Sequence, residues 1–204
     1  MFNTLDKVGE NKTKYKSIIK KVLSKALGYK DEYQMNVASA RIEGEFGREV
    51  DVPDIKSITL LIDCSTSQGP SKYKELLEEI EQFVSVAKGN NLKLIVIYWG
   101  RTAYFKKYDL KKGVTDRIKA DSENLGGTEL CSGLQVAMDN PKSDLYMILT
   151  DGEIFDKVIP VKIKSWLLKN KPKLFWVFNE RPQDSYIKKF DSTYKDRSVR
   201  IKGR

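Results

Sequence analysis

Four short apolar runs set the tightest limit on how this chain folds. Ile58–Ile62 (ITLLI), Leu94–Trp99 (LIVIYW), Leu145–Leu149 (LYMIL) and Leu174–Phe178 (LFWVF) are rich in β-branched and aromatic residues and show little polar alternation. A strand with one wet face alternates, whereas a strand covered on both faces does not. These runs therefore predict the inner strands of a parallel sheet, which needs helices on both sides.

The segments between them supply such helices. Leu76, Leu77, Ile80, Phe83, Val84 and Ala87 fall on one helical face, and Leu130, Leu134, Ala137 and Met138 on another. Ile163, Trp166 and Leu167 predict a third helix after Pro160, where proline is tolerated at a helix start. Ser185–Phe190 predicts a short last helix. Trp99 is followed at once by Gly100-Arg101 and then by Thr102–Tyr108. A Gly-X pair between two such runs predicts a tight hairpin, so 102–108 is expected as an antiparallel edge strand. The expected fold class is α/β: a doubly wound, Rossmann-like, mostly parallel sheet with one antiparallel edge strand, in the order 3-2-1-4-5.

Upstream, Tyr15, Ile18, Ile19, Val22, Leu23, Ala26 and Leu27 recur at helical spacing, with Gly28 as a stop. Residues 1–52 are expected to form a helical N-terminal extension. Residues 53–204 are expected to form the α/β domain with a basic C-terminal segment.

Composition then removes whole classes of chemistry. The chain has no histidine and two cysteines. That excludes Ser-His-Asp and Cys-His catalysis, histidine-bound zinc and a four-cysteine zinc site. No run reaches the ~18 apolar residues of a membrane span, and the N-terminus lacks the apolar core of a secretory signal. The expected setting is cytoplasmic, with Cys64 and Cys131 as thiols rather than a disulfide tying two loops together. Net charge is +9, but residues 51–154 are net −3 and residues 155–204 net +9. The basic end is read first as solvated lysine faces, with a polyanion footprint for nucleic acid as the alternative.

The strand order brings three polar loops to one sheet edge. The first strand ends in Asp63-Cys64-Ser65-Thr66-Ser67, and the fourth in Thr150-Asp151-Gly152-Glu153. Gly126-Gly127-Thr128-Glu129 leads into the helix at 130. In such sheets the crevice beyond the carboxyl ends of neighbouring, oppositely wound strands is the ligand site. Asp63 and Asp151 would face each other there, and two close carboxylates repel unless a proton or cation intervenes. Together with Ser65, Ser67 and Thr128 they form an all-oxygen set suited to Mg²⁺ or Mn²⁺. Hydroxyls do not neutralise the ion, so it would keep an open position that attracts a partner's carboxylate.

Asp63-x-Ser65-x-Ser67, Thr128 in its Gly-Gly-Thr loop and Asp151 in Leu-Thr-Asp-Gly resemble the metal-ion-dependent adhesion site of von Willebrand factor type A (VWA) domains, over roughly residues 57–180. Within that superfamily the chain looks most like the compact intracellular VWA-like domains of bacteria, archaea and their viruses. The resemblance implies that Ser65 and Ser67 coordinate the ion directly, that Asp63 and Asp151 act mostly through water, and that Thr128 joins or leaves the shell. It also implies that an Asp or Glu of a partner protein supplies the last ligand. Several relatives work with AAA+ ATPases, which makes such an ATPase one expected kind of partner. Cys64 and Thr66 stand where small residues are common, and Tyr98-Trp99-Gly100 where many relatives have a phenylalanine and an aspartate. Neither departure removes a ligand.

Two rival readings of the same residues lose ground. Asp63, Ser65 and Ser67 alone would pass for helix caps. Asp63 as the nucleophile of a Mg²⁺-dependent phosphohydrolase would want a second acid two residues on, and Ser65 cannot serve as one. A binding module rather than an enzyme is expected.

Overall fold

The computed structural model describes residues 55–68, 91–140 and 142–200, with positions 76, 80, 81, 83–85, 87 and 88 of an intervening helix. The chain divides between Ile55 and Lys56. The expected extension at 1–52, including the amphipathic helix at 15–27, lies outside the described residues.

Six strands form one sheet: β1 (Ser57–Asp63), β2 (Lys93–Trp99), β3 (Ala103–Tyr108), β4 (Leu145–Thr150), β5 (Leu174–Phe178) and β6 (Ser198–Arg200). Their order is β3-β2-β1-β4-β5-β6. Every pairing is parallel except β2 with β3. The four apolar runs are the four inner strands, and every residue of β4 and β5 is buried. The fold is the doubly wound, VWA-like α/β sheet, with β6 added beyond the expected fifth strand.

Four α-helices have defined bounds: α1 (Val114–Asp121), α2 (Leu130–Asp139), α3 (Val161–Asn170) and α4 (Asp184–Ile187). The period-two side chains Leu61, Ile97, Trp99, Tyr146, Ile148, Trp176 and Phe178 join one core with Leu130, Leu134 and Ala137 of α2 and Ile163 and Leu167 of α3. Burial of this kind is worth about 25 cal/mol per Å² of apolar surface. Trp99 lies against Gly133, where a Cβ would come within 2.8 Å of the tryptophan Cβ. Tyr98 points the other way and donates its hydroxyl to Ile118 O of α1 at 3.0 Å. Lys119 of α1 pairs with Glu81 at 2.5 Å, which places the 76–88 helix beside α1. Its residues Leu76, Ile80, Phe83, Val84 and Ala87 are buried, as their spacing predicts.

The hairpin turns at Gly100, whose N–H bonds Thr102 O at 2.9 Å. A Cβ there would sit 2.7 Å from Leu125. β3 is the edge, and its exposed Lys106 and Lys107 fit the charges that edges carry against sheet-to-sheet aggregation. Tyr98 and Trp99 are fully buried, Tyr104 is half-buried and stacked on Tyr98 at 5.1 Å, and Phe105 beside it is exposed. The last helix is shorter than 185–190 and begins one residue earlier, and Pro160 stands just before α3 rather than inside it.

Candidate functional site

Asp63 is the last residue of β1 and Thr150 the last of β4. β1 and β4 are neighbours, and the chain leaves them in opposite directions, toward β2 from one and β5 from the other. The Asp63 carboxylate is fully buried. Its Oδ1 accepts from Ser65 N at 3.0 Å and its Oδ2 from Thr150 Oγ1 at 2.6 Å. Thr150 Oγ1 in turn accepts from Gly152 N at 3.1 Å. Asp63 and the turn after β4 are thus one hydrogen-bonded unit. Ser65 and Ser67 sit in the following short turn with their hydroxyl oxygens 2.9 Å apart. Asp151 is buried and its Oδ1 accepts from Glu153 N at 3.0 Å.

Burial pushes the Asp63 carboxyl up to about 6. Hydrogen bonds from Ser65 and Thr150 oppose that rise, and the Asp151 charge adds to it. A carboxylate held this way sits in an electrostatic setting that a proton or a cation relieves.

The loop at 124–129 is drawn into the same place by its backbone. Thr66 N bonds Gly126 O at 2.9 Å, and Leu125 N bonds Cys64 O at 2.9 Å. Gly126 adopts φ +82°, which glycine takes without strain. Thr128 is buried, and its carbonyl accepts from Phe155 N at 2.9 Å. The structure therefore sets all five expected residues, Asp63, Ser65, Ser67, Thr128 and Asp151, on three loops stitched together at one sheet edge. Cys64 and Cys131 are not joined by a disulfide; burial and the neighbouring Asp156 push the Cys131 thiol up.

Three supporting residues had no local signal in the sequence. Asp156 caps α2 from 26 residues away, accepting from Leu130 N at 2.7 Å and Cys131 N at 3.1 Å. Glu129, at the cap position, makes no side-chain cap bond of its own. Gln68, buried, accepts from Asn179 Nδ2 at 3.1 Å and so ties the Ser67 turn to the end of β5. Gly152 has φ +88°, and a Cβ there would meet Pro182 at 2.6 Å. These partners are distant in sequence and become visible only once the sheet is assembled.

Among the described residues no three His, Cys, Asp or Glu side chains gather as a metal cluster. The edge instead combines two carboxylates with three hydroxyls, and that donor set fits a hard, oxygen-seeking divalent cation such as Mg²⁺ or Mn²⁺. Both Asp63 oxygens already accept a hydrogen bond, which fits a carboxylate that acts on an ion through water.

The sheet order and this edge define a VWA-like α/β fold. No family model and no curated protein sequence matches the chain. Solved structures do. Proximal thread matrix protein 1 from the mussel byssus superposes with a TM-score of 0.54 at 17% identity, over 74% of this chain and 44% of that one. Manganese-loaded Plasmodium vivax TRAP protein superposes with a TM-score of 0.55 at 11% identity, over 72% of this chain and 68% of that one. The chain thus spans less than half of the mussel protein. At these identities the likeness is one of fold. Among the described residues, no helix is long and apolar enough to cross a membrane.

Proposed function

We propose that this chain is a protein-binding module, not an enzyme, that holds Mg²⁺ or Mn²⁺ with Asp63, Ser65, Ser67, Thr128 and Asp151 and takes an Asp or Glu of a partner protein at the same edge. The observation that supports it most is the fully buried Asp63 beside Asp151, with hydroxyls rather than basic groups around them. When bound, the ion supplies a Lewis-acidic position for a carboxylate. Asp63 and Asp151 supply charge, Ser65 and Ser67 neutral oxygens, and the Thr66–Gly126 and Phe155–Thr128 bonds hold the three loops in register. A fold shared with a protein crystallised manganese-loaded supports a divalent ion here as well.

Thermal unfolding in EDTA, Mg²⁺ and Mn²⁺ tests the reading. Saturating ion should raise the midpoint of the wild type and leave Asp63→Ala unmoved. A wild type indifferent to millimolar ion sinks the metal site. Partner capture in Mg²⁺ that persists unchanged in chelator sinks the bridged carboxylate.

A further inference from the structure

We infer that the outward face of α3 is a separate docking surface, one that takes an acidic, amphipathic segment of a partner protein. Ile163 and Leu167 are buried and fix which side of α3 meets the sheet. At 100° per residue the opposite side is the line Val161, Ser165, Leu168, spaced i, i+4, i+7. Val161 is 78% exposed and Leu168 75%, and Val158, just before the helix, is 78% exposed. A lone exposed leucine is ordinary; Val161 and Leu168 share one outward helix face, and a third exposed apolar residue, Val158, stands three positions before the helix begins.

Charge frames this ridge with one sign. Lys164 flanks it on one side, and Lys162 and Lys169 on the other. No Asp or Glu occurs between Asp156 and Glu180, while that stretch holds six lysines. Among the described residues Lys162, Lys164 and Lys169 enter no ion pair, although other lysines of the domain do. A helix face made only for solvation mixes both signs and places polar residues where Val161 and Leu168 stand.

The combination selects the occupant. Nucleic acid would use the lysines but gain nothing from valine and leucine. A second copy of this chain brings +9 against a basic face. A bilayer calls for a wide apolar face with aromatic anchors, and α3 is a ten-residue helix with two apolar side chains outward. An amphipathic acidic helix satisfies both features, its apolar stripe along Val161 and Leu168 and its carboxylates on Lys162, Lys164 and Lys169.

The full chain, held in EDTA, is titrated into a short labelled helical peptide with leucine on one face and glutamate on the rest, read by fluorescence anisotropy. Binding is expected, weakening as salt rises. The V161S/L168S double variant should lose about tenfold in affinity, and K162E/K164E/K169E at least as much, each with an unchanged melting midpoint. Tighter binding to phosphatidylserine vesicles or duplex DNA overturns the proposal. So do equal binding of a peptide whose leucines are serines, self-association of the chain, or no binding. Because EDTA is present throughout, the outcome is independent of the metal reading.

Discussion

The two ends of the β1–β4 pair each hold a buttressed aspartate, and their surroundings push the two carboxyls in opposite directions. Asp144, at the amino end, takes three bonds on one oxygen, from Lys56 N at 3.0 Å, Ser57 N at 3.0 Å and Ser57 Oγ at 2.8 Å. Burial works to raise it, but those hydrogen bonds and the Lys173 charge outweigh burial and hold its carboxyl below the usual range. Asp63, at the carboxyl end, has a hydrogen bond on each oxygen, deeper burial and the charge of a second carboxylate, and it rises to about 6. Asp144 is a staple, content as an anion in the protein alone. Asp63 is an anion that its hydrogen bonds compensate only in part, which is what the proposed ion-binding role asks of it, even though both are aspartates with serine neighbours.

The largest expected effect lies at Asp63. Divalent ion at 100 times its Kd should stabilise the wild type by about 2.7 kcal/mol, and Asp63→Asn should abolish that gain. Calorimetric scans with and without chelator check it, and a gain retained by the variant would break the comparison from one side. Asp144→Ala should cost about 2 kcal/mol with or without ion, because it strands Lys56 N and Ser57 N. Urea melts check that, and a cost appearing only in ion would break it from the other side.

The pH response should also separate the two ends, with a slope approaching about 1.4 kcal/mol per pH unit for one group. Asp63 is raised above its ordinary 3.8, so its contribution favours the fold below that value and is lost as pH climbs through about 6. Asp144 is lowered, so its contribution is present above the ordinary value and is lost on acidification. In the metal-free protein, Asp63→Asn should flatten the decline between 3.8 and 6, and Asp144→Asn should leave it. In the wild type, ion affinity should fall below about pH 6 as the proton competes, which titration calorimetry across that window measures. The smallest effect is expected from Asp156→Ala, about 1 kcal/mol for two lost cap bonds on α2. A second result sharpens the comparison: the same variant should weaken ion binding slightly, whereas Asp144→Ala should not.

How much of this was written locally in the chain follows from where each partner lies. The inner strands were legible because burial on both faces demands continuous apolar runs, and Gly100-Arg101 announced the one antiparallel turn. The five candidate site residues were legible because strand ends and their order follow from those runs. β6 was not: Ser198–Arg200 is short and polar, and it is a strand only because Trp176–Phe178 offers an edge to pair with. α1 was not either, since Val114 and Ile118 are its only buried residues, too few to set a period. Asp144 and Asp156 escaped for a third reason. Each bonds to backbone 87–88 and 25–26 residues away, and nothing in the adjacent sequence marks an aspartate for that use.

Phe155 and Asp156 are consecutive, yet they grip different things: one the Thr128 carbonyl, the other the first amides of α2. The loop after β4 and the head of α2 are in effect riveted at two adjacent points. A displacement of the loop after β4 therefore carries the Thr128 loop and the head of α2 with it, so the two polar loops move as one piece.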